Sequence, residues 1–504
     1  MLKDWVEVEL GDVFDFIGGG TPSKKESSYW NGKIPWASIK DIKGDYLLHT
    51  QDYITEDGLS NSSASLVFPD EIILATRINP GRPIISKIKT AINQDLKIVR
   101  PKISTDIKFI YYCFLNIERK ILEFSSGTTV MGITLNSLKE LTIPLAPLPE
   151  QRAIAAKIEQ LFSELDNGIA NLKTAKSKLE IYRQAILKQA FEGGLTKDWR
   201  EKNNLPTAEV IFEQIKKERL NNYEKQLQEL EKAVIEWEIN GKDEKRPTRP
   251  SKPKILESLT EDEIEIYGKL PTGWQWSRFC NVTYKIGDID HKMPKEVEEG
   301  LPYLSTGNLK NDGSIDFEGA KNISKADFDR LALKIKPQKG DIIFPRYGTI
   351  GRNILINFDK DFLVSYACAI IKNIPFLMNE KFVFYYSLSP IIKKEIKRYT
   401  VQTTQANIGI ASIESFVFPL CSPQEQTQIV QEIETRLSVC DKLNEAIEQS
   451  LEKAQALRQS ILKKAFEGKL LSEDELQNCR QQPDWEPAAK LLEKVKKDSK
   501  TKKS

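Results

Sequence analysis

The chain is poor in the residues from which cross-linked and metal-dependent proteins are assembled. Its six cysteines (Cys113, Cys280, Cys368, Cys421, Cys440 and Cys479) stand singly without a C-x-x-C pair, and it has only two histidines. Neither a disulfide framework nor a zinc site is supported, and reduced thiols point to the cytoplasm. No apolar run approaches the length of a membrane span, and the opening MLKDWVEVEL alternates charged and apolar residues, so a soluble protein that is not exported is expected. Net charge is only +2. Without a large overall positive field, any affinity for nucleic acid must come from local basic surfaces. Two chemistries are excluded by missing motifs. There is no Pro-Pro dipeptide, so the Asn/Asp-Pro-Pro-Tyr/Phe loop with which adenine methyltransferases hold a flipped base is absent. The glycine-rich stretch Gly18–Lys25 lacks the G-x4-G-K-[ST] order that cradles phosphates.

The most informative feature is an internal repeat. Residues 143–195 align without a gap on 418–470, with 20 identities in 53 positions and a shared ending R-Q-x-I-L-K-x-A-F-E-G. Glu150 falls on Glu425 and Phe191 on Phe466, a constant offset of 275 (425 − 150 = 466 − 191). Duplication at this level marks two copies of one structural unit. In the first copy Ile154, Ile158, Leu161, Leu165, Leu172, Ala175, Leu179, Tyr182 and Ile186 follow steps of three and four, which predicts a coiled-coil seam beginning after Pro149 and ending at Gly193-Gly194. In the second copy Ile429, Ile433, Leu443, Ile447, Leu457 and Ile461 define the seam, and Arg436, Cys440, Ser450 and Ala454 weaken it. Each rod needs a partner for its apolar stripe, and the other copy is the nearest one. Antiparallel pairing would give an approximate internal two-fold axis.

The remaining chain divides accordingly. Residues 1–142 read as a mixed domain of short strands and turns, with a hairpin at Asn79-Pro80-Gly81-Arg82 and an amphipathic helix over 107–123 that buries Ile110, Phe114, Ile117 and Ile121. Residues 196–269 hold an accessory helix over 207–238, with Leu220, Tyr223, Leu227, Leu230, Val234 and Trp237 at 3-4 spacing, and then a basic, proline-rich linker over 241–254. A second mixed domain spans 270–417. Its Asp341–Arg352 lies on Glu71–Arg82, and Gln402-Thr403-Thr404 lies on Gly127-Thr128-Thr129. Beyond the second repeat helix (418–470), residues 471–504 form a helical segment, in which 487–497 echo 207–217, and a lysine-rich tail. The fold class expected is therefore α+β: two mixed, β-rich domains separated by two long helices that pair as an antiparallel coiled coil. Similar readers on a fixed spacer suit B-DNA, and because the domains diverge more than the helices, the target should be split and asymmetric.

Several stretches together resemble the specificity (S) subunits of type I restriction-modification systems. They are Gly18-Gly-Gly-Thr-Pro-Ser23, Tyr29-Trp-Asn-Gly32 and Ile34-Pro-Trp36; Leu270-Pro-Thr-Gly-Trp274; Gly340-Asp-Ile-Ile343 with Gly348-Thr-Ile-Gly-Arg352; and both Pro-Leu…Glu-Gln…Phe-Glu-Gly helices. The resemblance covers nearly the whole chain. It implies two target-recognition domains, conserved spacer helices that bind two methyltransferase (M) subunits, and restriction (R) subunits that join to cut double-stranded DNA. The chain itself would be non-catalytic and bind no cofactor, with S-adenosylmethionine, ATP and Mg2+ belonging to its partners. No membrane role is implied.

For DNA contact the two matched hairpins are favoured. Arg82 and Arg352 share one turn position and would clamp the backbone, whereas Arg77 and Asn79 against Arg346 and Tyr347 are the candidate base readers. Lys24, Lys25, Thr128, Thr129, Gln402, Thr403 and Gln405 lie on polar or basic loops that would add contacts. The spacer seam is assigned to Ile158, Leu165, Leu172, Leu179, Ile433, Leu443, Ile447 and Leu457. Trp5, Trp36 and Trp276 are assigned to the core. Asp70 with Glu118-Arg119-Lys120 offers a nuclease-like set in composition only; a surface ion pair accounts for it better. A coiled-coil scaffold joining two protein-binding domains is the alternative to DNA recognition.

Overall fold

The computed structural model describes residues 3–127, 131–240, 246–400 and 406–501, and it contains two compact units, Met1–Thr174 with Ile447–Ser504 and Ala175–Ala446. Both division points fall inside helices of 44 residues, Leu148–Phe191 and Pro423–Phe466. Each unit therefore owns part of each long helix.

In the first unit, apolar strands that alternate or are buried on both faces build two sheets. Phe14–Gly18, Leu96–Pro101, Ile72–Ala75, Pro83–Ser86 and Tyr46–Leu47 lie side by side in that order, and Asp52–Ile54, Trp30–Ala37, Thr90–Ile92 and Ser65–Val67 form the second sheet. The expected hairpin is present, with Ile72 opposite Ile85 and Leu74 opposite Pro83. The helix Ile107–Glu123 buries Ile110, Phe114, Ile117 and Ile121 as its periodicity predicts. Val6–Glu9 pairs antiparallel with Thr142–Leu145, so the domain's first and last strands meet where the long helix departs.

The second unit repeats this framework. Lys285–Gly287, Cys368–Lys372, Ile342–Pro345 and Ile354–Leu355 reproduce the order of the first four strands of the first sheet, and Gln275–Arg278 with Val417–Leu420 reproduces the strand pair at the helix base. A parallel step recurs as well: Trp36 sits opposite Ala91 in one unit and Tyr303 opposite Leu363 in the other. All six cysteines are buried and unpaired. No described helix is long and apolar enough to cross a membrane.

Identical residues of the repeat form the joint between each domain and its helix. Glu150, Gln151, Glu425 and Gln426 are buried to 2% exposure or less. The Gln151 Oε1 accepts the backbone N–H of Asp106 at 2.9 Å and its amide donates to the Ala146 carbonyl. Gln426 does the same with Asn379 (2.8 Å) and Cys421 (3.0 Å). Glu150 accepts the indole N–H of Trp5 at 2.7 Å and that of Trp485 at 3.2 Å. Glu425 accepts from Trp274 Nε1, from Thr196 and, as an ion pair at 2.7 Å, from Arg200. Each joint thus gathers the opening strand, a domain helix, the long helix and the segment that follows the other long helix. That segment docks alike in both units: Ala208 donates its N–H to the Gly273 carbonyl and Ala488 to that of Asp4.

Within each unit the long helices run antiparallel, and one ion pair appears twice. Arg458 bonds Asp166 in the first unit, and Arg183 bonds Asp441 in the second. The repeat offset converts one pair into the other (166 + 275 = 441; 183 + 275 = 458). Lys108 with Glu159 and Lys381 with Glu434 form a second matched pair.

The seam departs from its expected residues. Ile158 and Ile433 are buried and Leu165, Leu172, Leu179 and Ile447 half-buried, but Leu443 and Leu457 are exposed to about half. Cys440 and Ala454, expected to weaken the seam, are buried in it. Ile433, Cys440, Ile447, Ala454 and Ile461 fall one heptad apart, a phase that small residues occupy where helices approach closely. Ala175 and Tyr182 also lie outside, Tyr182 exposed beside Ile181, while Arg183 takes the inward position. The accessory helix Ala208–Ile239 is likewise rotated from expectation. Ala208, Ile211, Ile215, Arg219 and Tyr223 are buried and Leu220 is exposed. Gly241–Lys245 of the linker lie outside the described residues.

Replacing Gln426 with Leu strands the Asn379 N–H at a helix start and should lower the first denaturant transition of the chain by about 1–3 kcal/mol. Gln160→Ala, at an exposed site on the same helix type, should stay within about 0.5 kcal/mol.

Candidate nucleic-acid interface

In the first unit the parallel strands Trp30–Ala37 and Thr90–Ile92 end together at a cleft of about 660 Å³. After the first strand, Ser38 caps a short turn by exchanging hydrogen bonds with Asp41. After the second, the Asn93 amide donates to Asp95 at 3.0 Å, and the hydroxyl of Thr21, from the glycine-rich turn, donates to Gln94. The hairpin turn is tied to this rim because Arg77 Nη1 pairs with Asp95 at 3.2 Å. Arg77 keeps 51% of its side chain exposed. Ile78 and Asn79 beside it are exposed as well. Ile78 holds a φ of +68°, a costly conformation for a β-branched residue, which presents its side chain to solvent.

The second unit has a cleft of about 480 Å³ at the equivalent place, lined in part by Tyr303, Ser305, Asn308 and Tyr366. Ser305 and Asn308 form the same capping box as Ser38 and Asp41. The reader positions differ in chemistry. Tyr347 replaces Arg77, since each makes the same isolated bridge, Arg77 to Gly132 and Tyr347 to Asn407. Tyr347 meets the ring of Tyr366 edge-on at 6.0 Å, and His291 stacks on Tyr366 at 4.7 Å. The reader position is thus a guanidinium paired with a carboxylate in one unit and a tyrosine packed on other rings in the other.

Arg346 does not reach this surface. Its side chain is 5% exposed and all three nitrogens are committed, Nη2 to Asp288 at 2.5 Å, Nε to the Tyr366 carbonyl and Nη1 to the Ile408 carbonyl. It aligns with Thr76, one residue before Arg77, and neighbours in an extended chain point to opposite sides. It is a brace beneath the aromatic rim. Arg82 and Arg352 also brace protein backbone, donating to the carbonyls of Gly44 (3.4 Å) and Leu309 (3.1 Å) in the loops that follow the two capped turns. Lys24 lines the first cleft and Lys25 is exposed beside it. Thr128, Thr129, Gln402, Thr403 and Gln405 lie outside the described residues. Trp5, Trp36 and Trp276 are buried, as assigned. The carboxylate-lysine set does not converge: Asp70 pairs with Lys87, Glu118 faces Arg82 and Arg119 pairs with Glu123. Among the described residues no group of three potential ligands could hold a metal ion.

Gln94, His291, Tyr303 and Tyr366 escaped the sequence reading because none belongs to a repeated motif. The nearest signal was His291, one of only two histidines, in the turn-rich stretch Asp288–Met293.

A family model described as type I restriction modification DNA specificity domain matches residues 2–174 and 277–453. The specificity subunit of the type I restriction enzyme EcoBI from Escherichia coli is 23% identical over 494 residues, spanning 98% of this chain and 92% of that protein. The MjaIX specificity subunit of Methanocaldococcus jannaschii is 24% identical, spanning 82% of each. Among solved structures, one from a study of complex assembly and conformational transition in a type I R-M system superimposes with a TM-score of 0.60 at 17% identity, covering 93% of this chain and 99% of that one. The HsdS subunit from Thermoanaerobacter tengcongensis superimposes with a TM-score of 0.52, also at 17% identity, covering 93% and 98%.

Removing Arg346 leaves Asp288 buried without its main partner, so Arg346→Ala should destabilise the second unit by about 3–5 kcal/mol. Arg77→Ala removes a solvent-screened pair and should cost under about 1 kcal/mol in the same unfolding assay.

Proposed function

The chain belongs to the type I restriction-modification DNA specificity family, and we propose that within such a complex it supplies the sequence recognition while its partners supply the chemistry. It is a DNA sequence-recognition subunit whose two domains read the two halves of a bipartite, asymmetric site. The observation that carries the asymmetry is the pair of equivalent clefts: one framework, a shared capping box, and a different side chain, Arg77 or Tyr347, at the same place beside each. Arg77 and Asn79, with Lys24 and Lys25 nearby, are the readers of one half; Tyr347 and the aromatic rim serve the other. Thr128, Thr129, Gln402, Thr403 and Gln405 are retained as candidate contacts. Arg82 and Arg352 act by positioning the hairpins rather than by reading bases.

Two methyltransferase subunits and the restriction subunits are the partners in this reading, directed to methylate adenine N6 or to cleave double-stranded DNA. S-adenosylmethionine, ATP and Mg2+ are theirs, the chain binding none, and the assembly works in the cytoplasm. The long helices act as the spacer. In the second unit Ile181, Tyr182, Val439 and Leu443 stand exposed along them, an apolar surface suited to a protein partner.

The direct test is binding by the chain with its methyltransferase partner to a duplex pool. One split sequence should be retained with an affinity that falls steeply with salt. Equal retention of all duplexes would favour a protein scaffold instead, and cleavage by the purified chain with Mg2+ alone would make it a nuclease. A further outcome concerns the spacer. One heptad added to both long helices, after Thr174 and after Ala446, should lengthen the unread gap and leave both half-sites unchanged in a methylation map; an unaltered gap would remove the helices from the ruler role.

A further inference from the structure

Because the two domains share a framework, a position that differs only in how its polar group is satisfied reveals what a cleft is for. Trp36 and Tyr303 occupy such a position, at equivalent places in the parallel step of each domain. Both are buried, at 6% and 2% exposure. The indole N–H of Trp36 donates to the Gly20 carbonyl at 3.0 Å. The hydroxyl of Tyr303 is buried and has no hydrogen-bond partner. A phenylalanine would fill the same space without stranding a polar group, so the hydroxyl is a stability cost that the free domain does not recover.

Tyr303 belongs to the lining of the 480 Å³ cleft, together with Ser305, Lys321 and Tyr366, and its hydroxyl is recessed beneath that lining. The volume lies within the roughly 300–1,000 Å³ of small-ligand sites. Burial pushes the ionisation of Tyr303 up to about 12, so the group remains a proton donor at neutral pH. Tyr366 makes one side of the cleft aromatic, and the His291 ring stacks on it at an interplanar angle of 15°. Arg346 holds this wall from behind through the Tyr366 carbonyl and Asp288. A recessed donor cannot read a base edge at the floor of a DNA groove, where readers must protrude. It can be reached only by a group that enters the cleft.

We propose that this cleft receives one nucleobase of the second half-site after it leaves the duplex stack, with the Tyr303 hydroxyl donating to an acceptor on the base and the Tyr366–His291 pair forming the wall beside it. The inference rests on the reading of the chain as a DNA-recognition subunit and names a contact which that reading does not require. The first domain has a cleft at the equivalent place, but Trp36, which lines it, offers no free donor there because its N–H is already satisfied by the glycine-rich turn.

A base leaves the stack most easily where its pairing is already broken, and that supplies the test. The chain assembled with its methyltransferase partner is titrated with duplexes that carry its mapped site and single mismatches at each unmethylated position. In the wild type, a mismatch at one position of the half-site read by the second domain should tighten binding about tenfold, with no counterpart in the other half-site. Tyr303→Phe and Tyr366→Ala should each abolish that gain, while the thermal midpoint of the free Tyr303→Phe chain stays level or rises, as removal of a stranded hydroxyl requires. If no such mismatch tightens binding, or if the gain survives in both variants, the pocket is overturned. If the wild type does not prefer its mapped site to a scrambled duplex, the recognition reading itself fails, a result distinct from loss of the pocket alone.

Discussion

Glu425, with 2% exposure, receives the indole N–H of Trp274, the hydroxyl of Thr196 and the guanidinium of Arg200, while its neighbour Gln426 bridges Asn379 and Cys421. A carboxylate removed from water is tolerated only when its lone pairs are met, and so the surrounding elements must arrive in one arrangement. The opening strand, the domain helix and the segment returning after the other long helix are all fixed by these contacts. Glu150 and Gln151 impose the same requirement with Trp5, Trp485, Asp106 and Ala146. Placing the joint at the first turn of the long helix also sets the carboxylate against exposed backbone N–H groups at a helix start, where negative charge is favoured. Each domain is thereby held rigidly to the base of its helix.

This requirement explains which residues the repeat keeps. Glu150, Gln151, Asp166, Glu159, Arg183 and Phe191, with their counterparts 275 positions later, are identical in both copies. In the structure they are the joint, the matched ion pairs and the aromatic contacts of Phe191 with Phe382 and Phe466 with Phe109. The rims of the clefts carry no such constraint. They are free to place Arg77 in one domain and Tyr347 in the other on an unchanged capping box and parallel strand step.

The elements were legible in the sequence where periodicity is strong. The helix over 107–123, the hairpin at Ile72–Ser86 and the extent of both long helices follow directly from apolar spacing and from their turn signals. The phase of the second seam was not legible, because leucine at 443 and 457 satisfies a 3-4 count as well as cysteine and alanine at 440 and 454 do, and only the approach of the two backbones separates them. Arg346 was misplaced for a related reason. Aligned hairpins put it one residue from Arg77, and one residue in an extended chain is the difference between solvent and interior. The aromatic rim could not be assembled from sequence at all, since His291, Tyr347 and Tyr366 come from three separated segments that the fold brings together.

The central claim is that one framework carries two independent readers. Methylation mapping of a host that carries this chain and its methyltransferase partner, wild type beside Arg77→Ala, tests it most directly. The account predicts adenine methylation at a single split, asymmetric sequence, with the substitution altering preference in only one half. A continuous or palindromic motif, or a substitution that alters both halves alike, would contradict it.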